Sequence, residues 1–194
     1  MDEGNQRTRL TVRLIREALM RLLEDMDFDR VTVSAICKEA GVNRSTFYRY
    51  YNDQFELLES IELELIEELE SHGSIVTDLV DLSEEARQAI LRNYVDFFNC
   101  IERRSETYRI LATRVRPNIF EKTYAIRTSA YETALEKDYG KSQASYAANF
   151  MVAGGQKVVT EWICRGRNRE TPDEMAEMVL NMTNGVIERL CKLN

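Results

Sequence analysis

The chain has 194 residues, 44% of them apolar, enough for one or two domains with a sizeable core. It carries 8 Gly and 2 Pro, too few for an all-β fold with many tight turns, and its single His leaves almost nothing for a His-based metal site or a Ser-His-Asp triad. A formal charge of −7 and a pI near 5.0 argue, at face value, against a nucleic-acid partner.

Residues 1–7 are polar and predict no regular structure. From Thr8, Leu10, Leu14, Ala18 and Leu22 recur at helical spacing beside Ile15, Leu19 and Leu23, and this helix ends near Asp25. A break over Asp27–Arg30 follows. Thr32 reads as the N-cap of a short helix to Glu39, with Gly41 as the left-handed residue beyond it. Asn43 caps a second short helix from Arg44 to about Tyr50. Asp53 and Glu56 have capping-box spacing and open a helix to about Ser71. Gly73 and the polar residues after it read as a hinge.

Ser83 caps a helix with Ala86, Ile90, Tyr94, Phe97 and Ile101 on one face. Ser105 starts a short helix. Pro117 starts another, with Phe120, Tyr124, Tyr131 and Leu135 inward and Gly140 at its end. Ser142 to about Arg165 is a long apolar helix closed by Gly166. Thr171-Pro172-Asp173-Glu174 joins an N-cap Thr, a Pro at the first helical position and a capping-box Glu, and its helix runs to about Cys191. The expected class is all-α, with about nine helices and no strand.

Cys37, Cys100, Cys164 and Cys191 are scattered and form no Cys-x-x-Cys, so they are expected as reduced, core-filling thiols. The N-terminus lacks an apolar signal segment, and the longest uncharged run, Ser142–Gln156, is too short and polar to span a bilayer. A cytoplasmic protein with no membrane partner is expected. No metal cluster, phosphate loop or His-centred base is visible, so no enzyme activity, catalytic residue, metal or cofactor is expected.

Thr32 to Tyr50 has the layout of a helix-turn-helix. Ile36 and Ala40 point inward, Gly41 makes the turn, and Val42 and Phe47 pack back to fix the helix angle. This geometry offers Arg44, Ser45, Thr46, Tyr48 and Arg49 to a major groove. Two ordinary core helices around a Gly turn would give the same pattern.

The wording of the segment goes further. The stretch VTVSAICKEAGVNRSTFYRYYNDQFELL resembles the DNA-binding domain of the tetracycline-repressor (TetR) family of bacterial transcription regulators. The likeness runs from about Arg9 to Leu65. It includes Thr32 before Ile36, the Ala40-Gly41-Val42 turn, Thr46-Phe47-Tyr48, Tyr51 and the Leu57-Leu58 pair. Gly155, Trp162, Gly166 and the Thr171–Ala176 run are similar to a subgroup of that family typical of low-GC Gram-positive bacteria.

The resemblance implies a homodimer that places two recognition helices on a palindromic double-stranded operator. It also implies three parts: a helix-turn-helix domain over 8–55, a connecting helix over 56–72, and an effector-binding and dimerisation domain over 73–194. DNA contact is expected from Thr32, Ser34, Asn43, Arg44, Ser45, Thr46, Tyr48, Arg49, Tyr50 and Gln54. The family usually has Lys where Gln54 stands, and a missing charge lowers the salt slope of DNA binding by about one unit per subunit. Repression relieved by an unknown small-molecule effector is the leading expectation. A co-activator or protein-binding member with weak or lost operator binding is the alternative, resting on Gln54.

Charge along the chain answers the opening objection. Residues 1–55 hold nine basic and nine acidic residues, and 73–194 hold seventeen of each. The whole −7 therefore lies in 56–72, as Glu56, Glu59, Glu62, Glu64, Glu67, Glu68 and Glu70. Arg7, Arg9, Arg13 and Arg16 make the N-terminus locally basic, and with Arg44 and Arg49 they form a candidate phosphate-facing patch. The acidic helix reads either as a solvated face or as carboxylates paired with arginines such as Arg103 or Arg104.

The aromatic residues of the second half read as core or as a pocket lining. Tyr94, Phe98, Phe120, Tyr124, Phe150 and Trp162 are the candidate effector-pocket residues. The family resemblance puts the dimer contact on the last two helices. Ala144, Ala147, Ala148, Ala153, Gly154 and Gly155 would give it a smooth surface. Gly154-Gly155 inside a helix costs about 1–2 kcal/mol against Ala, which either close packing or a bend at a pocket would justify.

Overall fold

The computed structural model describes residues 3–72 and 83–191, and every regular element among them is a helix. In chain order these are α1 (Glu3–Asp25), α2 (Val33–Ala40), α3 (Arg44–Phe47), α4 (Gln54–His72), α5 (Glu84–Arg103), α6 (Ser105–Arg114), α7 (Ile119–Lys122), α8 (Tyr124–Cys164) and α9 (Pro172–Cys191). Single 3-10 turns at Phe28–Arg30 and Gly166–Asn168 fill two of the joints. The expected hinge at Gly73 lies outside the described residues.

The chain divides into two compact units. The first takes residues 1–65 and 110–118, the second 66–109 and 119–194. In the first, Ile15, Ala18, Leu19 and Leu23 of α1 meet Ile36 and Ala40 of α2, Phe47 of α3, and Leu57, Leu58, Ile61 and Leu65 of α4, all buried. Leu14 and Leu22 are half-buried and Leu10 is exposed, so the buried stripe centres one position from the expected one. The return segment adds Ile110, Leu111, Ala112 and Val115. Arg114 fastens it, donating to Asp27 at 3.3 Å and to the Glu24 carbonyl at 3.1 Å.

Helix α1 starts at Glu3, five residues before the expected start, because a helix already nucleated extends at one hydrogen bond per added residue, even through polar sequence. The expected Pro117 helix is divided. The Phe120 carbonyl accepts from the Thr123 amide (3.2 Å), the Thr123 hydroxyl (2.9 Å) and the Gln156 side chain, which ends α7 at Lys122. Cys37 and Cys100 are buried and free, whereas Cys164 is free and exposed, contrary to its expected place in the core.

Within the second unit, Gly140 breaks α8 at φ 73°, ψ 159°. A residue with a Cβ strains at that φ, which is why Gly holds the corner. The two halves of α8 then run antiparallel: Ser145 donates to Glu132 (2.7 Å), Tyr124 to Asn149 (2.6 Å), and Gln156 to the Phe120 carbonyl. Ala144 and Ala147 pack into this hairpin against Leu135, Tyr139 and Ile187 of α9. Ala144, Ala147 and Ala148 are thus buried inside the chain, whereas Ala153 and Gly154 of the expected smooth surface are exposed. Helix α9 packs mainly on α5. No helix among the described residues is long and apolar enough to cross a membrane.

Candidate nucleic-acid interface

The turn between α2 and α3 is set by three local devices. The Thr32 hydroxyl accepts from the Ala35 amide at 3.2 Å and starts α2. Gly41, at φ 67°, ends it, and the Val42 amide donates to the Cys37 carbonyl at 3.0 Å, the long bond of a Schellman cap. Asn43 then caps α3, accepting from the Thr46 amide at 2.8 Å and the Ser45 hydroxyl at 2.7 Å. Phe47, wholly buried, anchors α3 and meets Tyr51 at 5.9 Å between ring centroids.

Helix α3 is shorter than expected. After Phe47 the chain tightens into three-residue turns, with Arg49 bonded to Thr46 and Tyr50 to Phe47. Around this scaffold Thr32, Ser34, Asn43, Arg44, Ser45, Tyr48 and Arg49 are exposed, while Thr46, Tyr50 and Gln54 are half-buried. Tyr48 is 53% exposed and leans edge-on against Phe47. Ser45 spends its proton on Asn43, so toward a ligand it can only accept. Burial pushes the Cys37 thiol up, against the opposing pull of Arg44, and keeps it an inert filler.

Asp53 opens α4 by accepting from the Phe55 and Glu56 amides, at 2.9 and 2.8 Å. Glu56 reaches back to the Asn52 amide at 2.6 Å, one residue earlier than a standard capping box.

The second unit holds a cavity of about 90 Å³. Tyr94, Phe98 and Phe120 of the expected pocket residues line it, together with Phe97, Arg127, Tyr131, Met151, Gly155, Gln156 and Thr183. The remaining three are elsewhere. Phe150 points outward at 69% exposure. Trp162 is buried, its indole N–H donating to the Glu170 carbonyl at 2.8 Å and its ring stacked under Arg169 at 4.3 Å. Tyr124 is held by Asn149. Among the described residues no group of His, Cys, Asp or Glu could hold a metal ion.

Comparison with known proteins follows the same division. Residues 15–61 match the family described as bacterial regulatory proteins, tetR family. Residues 88–185 match a family described as transcriptional regulator C-terminal region, which spans half of the chain. The chain belongs to the tetR family of bacterial regulatory proteins. An uncharacterized HTH-type transcriptional regulator of Bacillus subtilis, YxbF, is 38% identical over 47 residues, 24% of this chain and 12% of that protein. The chain thus spans about an eighth of that relative's length. A TetR transcriptional regulator from Streptococcus agalactiae has the same fold, with TM-score 0.68 and 18% identity over 93% of this chain and 97% of its own. A putative TetR-family regulator from Syntrophomonas wolfei aligns with TM-score 0.59 and 16% identity over 95% and 96% of the two chains.

In this tetR-family protein the arginines of α1 are not all available to phosphate. Arg16 pairs with Glu64 at 2.6 Å, Arg21 with Glu39 at 2.7 Å, and Arg13 with Glu17 at 3.5 Å. Among the described residues Arg44 and Arg49 carry no ion pair. Farther along α4, Glu68 lies 3.8 Å from Arg103 and 3.4 Å from Arg104, the pairing expected as one reading of the acidic helix. Arg127 was missed as a cavity residue. The signal was present: Phe120, Tyr124, Arg127 and Tyr131 follow one another at spacings of four, three and four, so a charge stands inside an apolar stripe.

Proposed function

We propose that this regulator is a homodimeric, cytoplasmic repressor that binds a palindromic operator and is released by a small-molecule effector. Residues 8–55 bind DNA, 56–72 connect, and 73–194 take the effector and the partner subunit. The observation that carries this reading is the capped α3 turn. It stands on a closed apolar core and presents Arg44, Ser45, Tyr48 and Arg49 outward, with neither arginine in an ion pair among the described residues. Arg reads guanine edges, and the Tyr48 hydroxyl can donate to a phosphate and fix register.

Support for the dimer comes from the last two helices. Tyr146 and Phe150 of α8 are 77% and 69% exposed, and Met178 and Met182 of α9 are also exposed. Gly154 continues the first row at helical spacing and Gly185 the second, and a Cβ on either would meet nothing within 4 Å. Exposed large apolar side chains beside open glycines fit a close helix-to-helix contact with a second copy. The adjacent glycines Gly154 and Gly155 therefore divide their roles: Gly154 faces out and Gly155 lines the cavity.

Half-sites one helical turn apart require recognition helices about 34–36 Å apart, so an effector that favours another spacing lowers affinity for the operator. The test is a gel shift of the full chain with duplex DNA from upstream of its own gene, at several salt concentrations. Tight, salt-sensitive binding of two chains per site is expected. Absence of binding at low salt, or binding of one chain per site, would contradict the reading.

A further inference from the structure

The cavity of the second unit contains a cation without a protein acceptor. Arg127 lines it, with its guanidinium 4.9 Å from the centroid of the Phe97 ring. Among the described residues that guanidinium makes no hydrogen bond and no ion pair. Glu70 acts on it only through space, behind the influence of Tyr131 and Tyr94. Burial lowers its pKa, the mark of a poorly solvated cation, yet a guanidinium keeps its proton. Stacking on one ring offsets a fraction of what an ion pair would.

The hydroxyls of the cavity bond to one another and to the backbone. Thr183 donates to the Val179 carbonyl at 2.9 Å, so toward Tyr94, at 3.5 Å, it can only accept. The Tyr94 and Tyr131 hydroxyls lie 3.2 Å apart, and either can donate to the other. Burial holds the Tyr131 hydroxyl well above its ordinary range, so it stays neutral. Thr123 and Gln156 both donate to the Phe120 carbonyl. Asn93 and the second N–H of Gln156 remain as neutral donors, and Arg127 is the charged donor of the lining, a planar fork matched to a carboxylate. Around it stand Phe97, Phe98 and Tyr131.

The geometry points to a small aromatic monocarboxylate as the ligand of this cavity, its carboxylate on Arg127 and its ring among Phe97, Phe98 and Tyr131. A volume near 90 Å³ is several times the roughly 10–15 Å³ that a single water needs, so the space admits a small organic ligand. This inference rests on the reading of the second domain as effector-binding, and it gives that effector a charge and a shape.

Benzoate is the probe and benzyl alcohol its neutral counterpart, each titrated calorimetrically into the full chain without DNA. Benzoate should bind at least about tenfold more tightly than the alcohol, since a charge-assisted bond is made by the acid alone. Arg127→Met should erase that preference. Should that variant fail to fold, Gly155→Leu decides, because a Cβ there meets nothing within 4 Å and the larger side chain fills the cavity with the charge intact. It should lose binding of both compounds. Equal affinity for acid and alcohol, or undiminished benzoate binding by either variant, would overturn the inference. Benzoate that binds but leaves a DNA complex intact would support the cavity assignment and count against the release mechanism. A DNA complex with no benzoate binding would do the reverse.

Discussion

The two units dispose of their polar groups in opposite ways. In the first, Thr32, Asn43 and Asp53 cap the starts of α2, α3 and α4, and Arg16 and Arg21 pair with acids. Among the described residues, Arg44 and Arg49 carry no ion pair and face outward. In the second, a guanidinium and a chain of hydroxyls are turned inward around a cavity. A partner as large as DNA needs donors on a rigid exterior, whereas a small ligand needs them inside, where each is worth more for lack of water. On the proposed function, the same chain separates DNA and effector recognition by the direction its charges face.

Removing Phe47 should break this contrast most strongly. Phe47→Ala empties a fully buried site and should cost about 3–5 kcal/mol, lost from the first unit. Urea unfolding followed by circular dichroism should show an earlier transition, and DNA binding should fail while benzoate binding persists. Simultaneous loss of both would mean the units do not fold independently.

Arg44 sharpens the contrast. Arg44→Ala should cost about 1–3 kcal/mol of DNA affinity and change base preference, if its partner is the base edge proposed for it. Arg16→Ala, by contrast, breaks a pair with Glu64 and should leave both preference and salt slope unchanged. Binding-site selection from a random duplex library with each variant distinguishes the two roles.

Smaller effects come from the acids. Glu68→Gln should cost less than about 1 kcal/mol of stability by releasing Arg103 and Arg104, and the exposed Glu67→Gln should cost nothing measurable. Equal melting temperatures for both variants and the natural chain would reduce the acidic helix to a solvated face. Glu174 gives a pH test. The Thr171 amide and hydroxyl hold its carboxyl below the ordinary 4.5. Its contribution to stability is therefore present above that value and is lost as pH falls through the depressed one. Thr171→Ala should return the carboxyl titration, followed by NMR, toward 4.5.

Legibility in the sequence tracks the range of the physics. The caps at Thr32, Asn43, Asp53, Ser83 and Thr171, and the left-handed Gly41, act within five residues, and each was readable from spacing alone. The α8 hairpin was half-readable: Gly140 marked the corner, but the burial of Ala144 and Ala147 depends on Leu135 and on Ile187 of another helix. Phe150 and Trp162 were assigned to the pocket because aromatic character is shared by core, surface contact and ligand wall. The partners of Arg16 and Arg114 lie 48 and 87 residues away, beyond any local pattern.

The central claim is tested most directly by fluorescence anisotropy of the natural chain and of Arg44→Ala on duplex DNA from upstream of its own gene, across a salt series. The natural chain should bind as two copies per site with affinity that falls steeply with salt, and Arg44→Ala should bind more weakly and with less distinction between that duplex and a scrambled one. Identical curves for the two proteins, or no preference of the natural chain for its own duplex, would contradict the assignment of α3 as the element that reads DNA.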